Sequence, residues 1–304
     1  MAGICDGRVC VVTGAGRGLG REYALMLGSA GARVVVNDLG GERDGTGGSA
    51  GPAQEVVDEI TAAGGEAVPS THDVADVASA EAMIQTAIDT WGRLDVLVNN
   101  AGILRDRMLV NMTEQEWDSV IRVHLKGTWA PSRAAAVHWR NRSKAGEQLD
   151  ARLVNTTSVS GIYGNAGQTN YGAAKAGVAA FTQIASLELG RYGATVNAIA
   201  PGALTRLTED LRDHDPTPEE REERSPRWVA PLCVWLASTQ SNGVTGRVFE
   251  STPSLLAVAE GWHRGPIAAP VSDPEMVDEV MRALLADARP NADMSGKDRT
   301  SVAV

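Results

Sequence analysis

Val9-Cys10-Val11-Val12-Thr13-Gly14-Ala15-Gly16-Arg17-Gly18-Leu19-Gly20 sets an apolar, β-branched run directly against a glycine-rich turn, with a helix-length segment behind it. The run reads as a buried strand. Glycines after it let the backbone turn sharply and approach a pyrophosphate, which a helix N-terminus stabilises. Thr13, Gly14, Gly18 and Gly20 fit the spacing T-G-x-x-x-G-x-G rather than the commoner G-x-G-x-x-G. A glycine loop alone is as readily a plain tight turn. The order strand, loop, helix gives it weight, and Gly14, Arg17, Gly18, Leu19 and Gly20 become candidate cofactor contacts.

Outward from this unit the pattern repeats. Further strand-like runs lie at 33–38, 66–71, 94–99, 152–157 and 194–200, with helix-length segments at 18–30, 52–63, 76–91, 113–140 and 169–191. Repeated βα units with apolar strands predict a parallel sheet covered on both faces, joined by right-handed crossovers: a doubly wound α/β domain. Residues 40–51 (GGERDGTGGSAG) read as a loop after the second strand, and 204–227, crowded with charge and proline, as a candidate lid. The domain is expected to span 1–265. In a C-terminal extension, 266–304, one helix is expected at 274–288, with disorder in the last fifteen or so residues.

The ends of successive strands carry small or polar residues, and ligands of open α/β sheets bind at that edge. Asp38 closes the second strand, where a carboxylate can accept from both hydroxyls of an adenosine ribose and repels a 2′-phosphate. That favours NAD over NADP, although a turn-forming aspartate is the plainer reading. Arg17 is a counter-signal, since it could pair with a 2′-phosphate, but it can also swing into solvent. Asp73 and Val74 could flank an adenine. Asn100, Ala101 and Gly102 would let the chain pass close to a ribose.

The fifth strand runs into Ser158, Tyr171 follows thirteen residues later, and Lys175 stands four beyond Tyr171. Residues i and i+4 share a helix face, so the ammonium can stand close to the phenol. A free tyrosine titrates near ~10, and a neighbouring cation should draw that value toward working pH. Tyr171 could then exchange a proton with a substrate oxygen that Ser158 orients. In isolation a Y-x-x-x-K pair is more often an ordinary surface pair.

Composition bounds the alternatives. With 304 residues, 43% of them apolar, the chain can bury a sizeable sheet, and a net charge of −10 disfavours nucleic acid and anionic membranes as partners. Cys5, Cys10 and Cys233 show neither C-x-x-C nor Cys/His spacing, so no metal is expected and the thiols read as free in a reducing, cytoplasmic setting. No apolar stretch reaches the ~20 residues of a membrane span.

Residues 8 to about 250 resemble the short-chain dehydrogenase/reductase family. The likeness rests on Thr13–Gly20, Asn99–Gly102, Ser158, Tyr171-x-x-x-Lys175 and the Pro201-Gly202 turn. It implies a single Rossmann domain with a parallel sheet of about seven strands, hydride transfer with NAD(P), a Ser/Tyr/Lys mechanism and a homotetramer or dimer. Tyr171, Lys175, Pro201 and Gly202 are also implied in holding the cofactor. Within the family, Val36–Gly41, Asn99–Arg107, Val123–Gly127 and Gly161–Asn165 are similar to the (3R)-hydroxyacyl-CoA dehydrogenase domain of peroxisomal type-2 multifunctional β-oxidation enzymes. That likeness implies NAD-linked oxidation of a 3-hydroxyacyl thioester. Reduction of 3-oxoacyl-carrier protein, oxidation of a hydroxysteroid or steroid-derived acyl-CoA, and a non-catalytic NAD(H)-binding scaffold remain the alternatives.

Some positions depart from the family. His124 stands where most members carry asparagine, either holding a relay water beside the lysine or packing a helix. Arg206 replaces a threonine, either meeting a phosphate or standing in solvent. Residues 140–150 are longer than the usual connection, and Phe249–Pro253 lacks a customary glycine pair.

Overall fold

A computed structural model describes residues 3–42, 44–204 and 215–299; Arg206 lies outside them, as does much of the 204–227 segment. The strands are β1 (Val9–Thr13), β2 (Arg33–Asn37), β3 (Glu66–Ser70), β4 (Val96–Asn99), β5 (Ala151–Thr156), β6 (Ala194–Pro201), β7 (Val248–Thr252) and β8 (Leu255–Ala259). They form one sheet in the order β3-β2-β1-β4-β5-β6-β7-β8. Every pairing is parallel except β7 with β8. Where about seven strands were expected, the described residues form eight, because Pro253 and Ser254 turn the chain back on itself and β8 adds an antiparallel edge.

The helices are α1 (Gly18–Ser29), α2 (Gly51–Ala62), α3 (Val77–Trp91), α4 (Glu114–Ile121), α5 (Gly127–Lys144), α6 (Val159–Ile162), α7 (Thr169–Leu189), α8 (Pro218–Glu223), α9 (Ala230–Ala237) and α10 (Val277–Asp287). Strand periodicity sorts the core into two layers. Cys10, Val12, Val34 and Val36 pack with Tyr23 and Leu27 of α1, Val56 and Ile60 of α2 and Leu236 of α9. Val9, Val11, Val35 and Leu97 pack with Met83 of α3, Trp139 of α5 and Leu189 of α7 on the opposite face.

The single helix expected over 113–140 is interrupted. After α4 comes a π-helical turn, Arg122–Lys126, and α5 then runs on to Lys144, which takes up much of the long connection. π-turns add a residue to a helical turn and cluster at functional sites; this one carries His124 into the interior.

One compact unit ends at Ala259 and a second begins at Glu260. Within the second, a 3₁₀ turn at Pro274–Met276 leads into α10. The tail expected to be disordered carries a turn, closed by a bridge between Ala292 and Asp298 and an ion pair between Arg289 and Asp298.

Candidate active site

β1, β2, β4 and β5 end at one edge of the sheet, and the chain crosses from β3 back to β4 beside β1, which opens a crevice there. The glycine loop that leaves β1 is tight on every side. Gly14 has φ +62°, and a Cβ on it would lie 2.7 Å from Ala101 Cα. A Cβ on Gly20 would lie 2.1 Å from the Gly14 carbonyl oxygen. Asn100 holds the loop from β4, its Nδ2 donating to the carbonyls of Thr13 (3.0 Å) and Gly14 (3.1 Å). No side chain among the described residues caps α1, whereas Asp76 caps α3 and Thr113 caps α4. The first amide groups of α1 therefore face the crevice as donors in need of an anion.

Asp38 follows β2 and is bound to that loop. Its Oδ2 accepts from Gly16 N–H (2.8 Å) and its Oδ1 from Gly40 N–H (2.7 Å). A carboxylate has about four acceptor sites, so capacity remains for ribose hydroxyls. Arg17 does not swing away: its guanidinium donates to the Gly41 carbonyl at 3.3 Å. Asp73 is engaged as well, accepting from Ala75 N–H (2.8 Å) and pairing with Arg122 (2.5 Å). Val74 is buried, packed where a Cβ on Gly127 would meet it. Gly202 donates to the Ser251 carbonyl at 2.9 Å, which fixes the turn after Pro201.

The second half of the site lies where β5 ends. Ser158 caps α6 through its hydroxyl, which accepts from Ser160 N–H at 3.1 Å. The same hydroxyl lies near enough to the Tyr171 phenol to lower its pKa. One turn along α7, Lys175 is buried, donates to the Thr156 carbonyl at 2.6 Å and stands 5.6 Å from the Tyr171 ring centroid. His124 packs edge-on against that ring, centroids 5.1 Å apart, with Nε2 beside Ile103 N–H (3.1 Å) and Ile103 carbonyl (2.7 Å). Its Nδ1 is buried without a partner among the described residues. Gly102 makes room for this imidazole, since a Cβ there would lie 2.4 Å from its Cε1.

Burial governs protonation. It pushes the Tyr171 phenol up to about 12, while the Ser158 hydrogen bond pulls down and Asp106 pushes up. Burial also draws Lys175 down to about 7 and His124 to about 3, the latter with help from Lys175. The fall expected for the phenol is absent: desolvation by burial is the largest influence on it and raises its pKa.

Ser158, Tyr171, Lys175 and His124, picked out along the chain, thus meet in one place. Three residues escaped notice. Thr156 contributes a backbone carbonyl, which no side-chain pattern reveals. Arg122 reaches Asp73 across forty-nine positions. Gln168, just before α7, donates to Asp106 at 2.8 Å. Glu250, in the stretch that lacks the customary glycine pair, is buried and accepts a hydrogen bond from the Tyr163 phenol.

A doubly wound sheet, a glycine loop at its crossover and a buried Ser/Tyr/Lys cluster beside it define an oxidoreductase class. A family model described as short chain dehydrogenase matches residues 8–216. The chain belongs to that family: it is an oxidoreductase of CH–OH groups, and the family uses NAD(P). It is 45% identical over 252 residues to the hydroxyacyl-CoA dehydrogenase ChsB1 of Mycobacterium tuberculosis, covering 80% of this chain and 77% of the relative. It is 45% identical over 260 residues to the peroxisomal multifunctional enzyme type 2 of Drosophila melanogaster, covering 84% of this chain but 40% of that enzyme. A crystal structure of a short chain dehydrogenase from Mycobacterium avium superposes with a TM-score of 0.86 at 50% identity, covering 96% of this chain and 99% of the other. Among the described residues no helix is long and apolar enough to cross a membrane, and no group of three potential ligands is placed to hold a metal.

Proposed function

We propose that the chain interconverts a 3-hydroxyacyl-CoA and its 3-oxoacyl counterpart with NAD, with Tyr171 as acid/base. The observation that carries the chemistry is the Tyr171 ring with buried Lys175, one turn along the same helix, holding its Nζ 5.6 Å from the ring centroid. The substrate class is drawn from relatives that share about 45% of residues and are called hydroxyacyl-CoA dehydrogenase or multifunctional enzyme. Cytoplasmic residence and a homotetramer or dimer complete the proposal; a monomeric mass in sedimentation equilibrium would count against the oligomer.

The residues present fit a dinucleotide. Gly14, Gly18 and Gly20 keep the loop free of side chains, the uncapped start of α1 offers amide donors, and Asp38 is the acceptor for the ribose. Val74, Asn100, Ala101, Gly102, Pro201 and Gly202 line the remaining edge. When bound, nicotinamide supplies the hydride acceptor or donor. The protein's share is proton management: Ser158 fixes the substrate oxygen, the Tyr171 phenol gives or takes its proton, and Lys175 biases the phenol through its charge.

Steady-state rates with NAD and NADP across 3-hydroxyacyl-CoA, hydroxysteroid and carrier-protein substrates test the reading. The expected result is highest kcat/KM for a CoA thioester with NAD. A several-fold preference for NADP would overturn the role given to Asp38 and put Arg17 in its place. Tight NADH binding with no turnover on any of these substrates would instead mark a scaffold.

A further inference from the structure

We propose that the loop after β2 is a strap across the mouth of the crevice, latched by Arg105, and that it retains a bound dinucleotide. The proposal rests on the reading of that crevice as a dinucleotide site.

The loop leaves β2 through Asp38, the acceptor assigned to the ribose, and its two ends are pinched together. Ser49 N–H donates to the Leu39 carbonyl at 2.9 Å. Gly40 has φ +66°, and a Cβ on it would collide with the Ser49 carbonyl oxygen, so this neck suits glycine alone. With Leu39 and Ser49 already in contact and α2 starting at Gly51, the chain beyond the neck is not needed to join strand to helix; such connections commonly take about 2–6 residues. Its described residues, 40–42 and 44–48, fold into a compact tip. Glu42 N–H donates to the Thr46 carbonyl at 2.7 Å, and the Asp44 carboxylate accepts from Thr46 N–H (3.0 Å) and Oγ1 (2.7 Å).

That tip rests on the far side of the crevice. Arg105, in the loop after β4, donates from Nε to the Asp44 carbonyl at 3.0 Å. Arg105 is itself anchored, because Asn170 of α7 donates to its carbonyl at 3.0 Å. Gly45, with φ +87°, approaches Ile103 so closely that a Cβ on it would lie 3.3 Å from both Cδ1 and Cγ2. Midway, Arg17 of the glycine loop donates to the Gly41 carbonyl at 3.3 Å. In the sheet β1 lies between β2 and β4, whose ends are two strand spacings apart, about 10 Å. A segment rooted at β2 and fastened to the loop after β4 must cross the end of β1, where the glycine loop and the uncapped start of α1 lie. The strap thus spans from Asp38 to Ile103, whose backbone clasps His124 beside Tyr171. Its polar fastenings to Arg17 and Arg105 are single hydrogen bonds at exposed positions, weak enough to open for exchange and sufficient to slow release.

Stopped-flow release of NADH, chased with excess NAD and followed by NADH fluorescence, reads the strap directly. Arg105→Ala should quicken release about three- to tenfold. Removal of residues 42–47, which keeps the neck, should quicken it at least as much. With saturating NAD, kcat for (R)-3-hydroxybutyryl-CoA should not fall in Arg105→Ala, while KM for NAD rises. Release as slow as in wild type for both variants overturns the proposal. Release quickened by Arg105→Ala but not by the excision makes Arg105 a direct cofactor contact and overturns the strap; quickening by the excision alone overturns the latch. If Arg105→Ala does not fold, Arg105→Gln carries the same comparison. A wild type that binds no NADH defeats the dinucleotide reading itself, whereas one that binds it, with release unchanged in both variants, defeats only the strap.

Discussion

His124 shows how one buried side chain records the dryness of the site. Burial lowers its pKa from 6.5 to about 3. Between those values the unfolded chain binds a proton that the folded one refuses, so stability is lost as pH falls through that window. Asparagine at 124 removes this term. In urea melts the stability advantage of wild type over His124→Asn should shrink steadily from about pH 7 to about pH 4; a constant gap would show that the imidazole is charged in the fold. The triad was legible at this scale because Tyr171 and Lys175 fall four apart on one helix and Ser158 follows the end of a strand. Asp106 was not, because its partner Gln168 is sixty-two positions away and nothing in the sequence brings them together.

Among elements, the glycine loop was the most readable and the helix over 113–140 the least. Alternating apolar residues continue through Arg122–Lys126, so periodicity gave no warning of the π turn that buries His124. β8 was missed for another reason: Leu255–Ala259 is a short apolar edge with Leu255, Leu256 and Val258 exposed, and pairing with β7 decides its state more than pattern does. The close approach at Gly20 makes a strong demand. A methyl 2.1 Å from the Gly14 oxygen must push α1 off the loop, so Gly20→Ala should lose about 1–3 kcal/mol and weaken NADH binding in fluorescence titrations. An unchanged Tm with unchanged NADH affinity would refute the tight packing described here.

Across the whole molecule, the two apolar layers carry the stability and the sheet edge carries the chemistry. Trp139 is 1% exposed and its indole donates to the Leu94 carbonyl at 2.8 Å, so Trp139→Ala should cost about 3–5 kcal/mol in chemical denaturation. A loss below ~1 kcal/mol would mean the layer under α5 is loose. Among the described residues, none beyond Ala259 is buried. We propose accordingly that 1–265 is the catalytic domain, and a chain ending at 265 should keep its Tm within a few degrees; loss of folding would show that 266–304 completes the core. The most direct measurement is NADH oxidation with acetoacetyl-CoA by wild type and Tyr171→Phe, with NADH affinity followed alongside. The rate should fall about 10²–10⁴-fold while NADH binds as before. Wild-type turnover without that hydroxyl would contradict the role given to Tyr171 and the mechanism built on it.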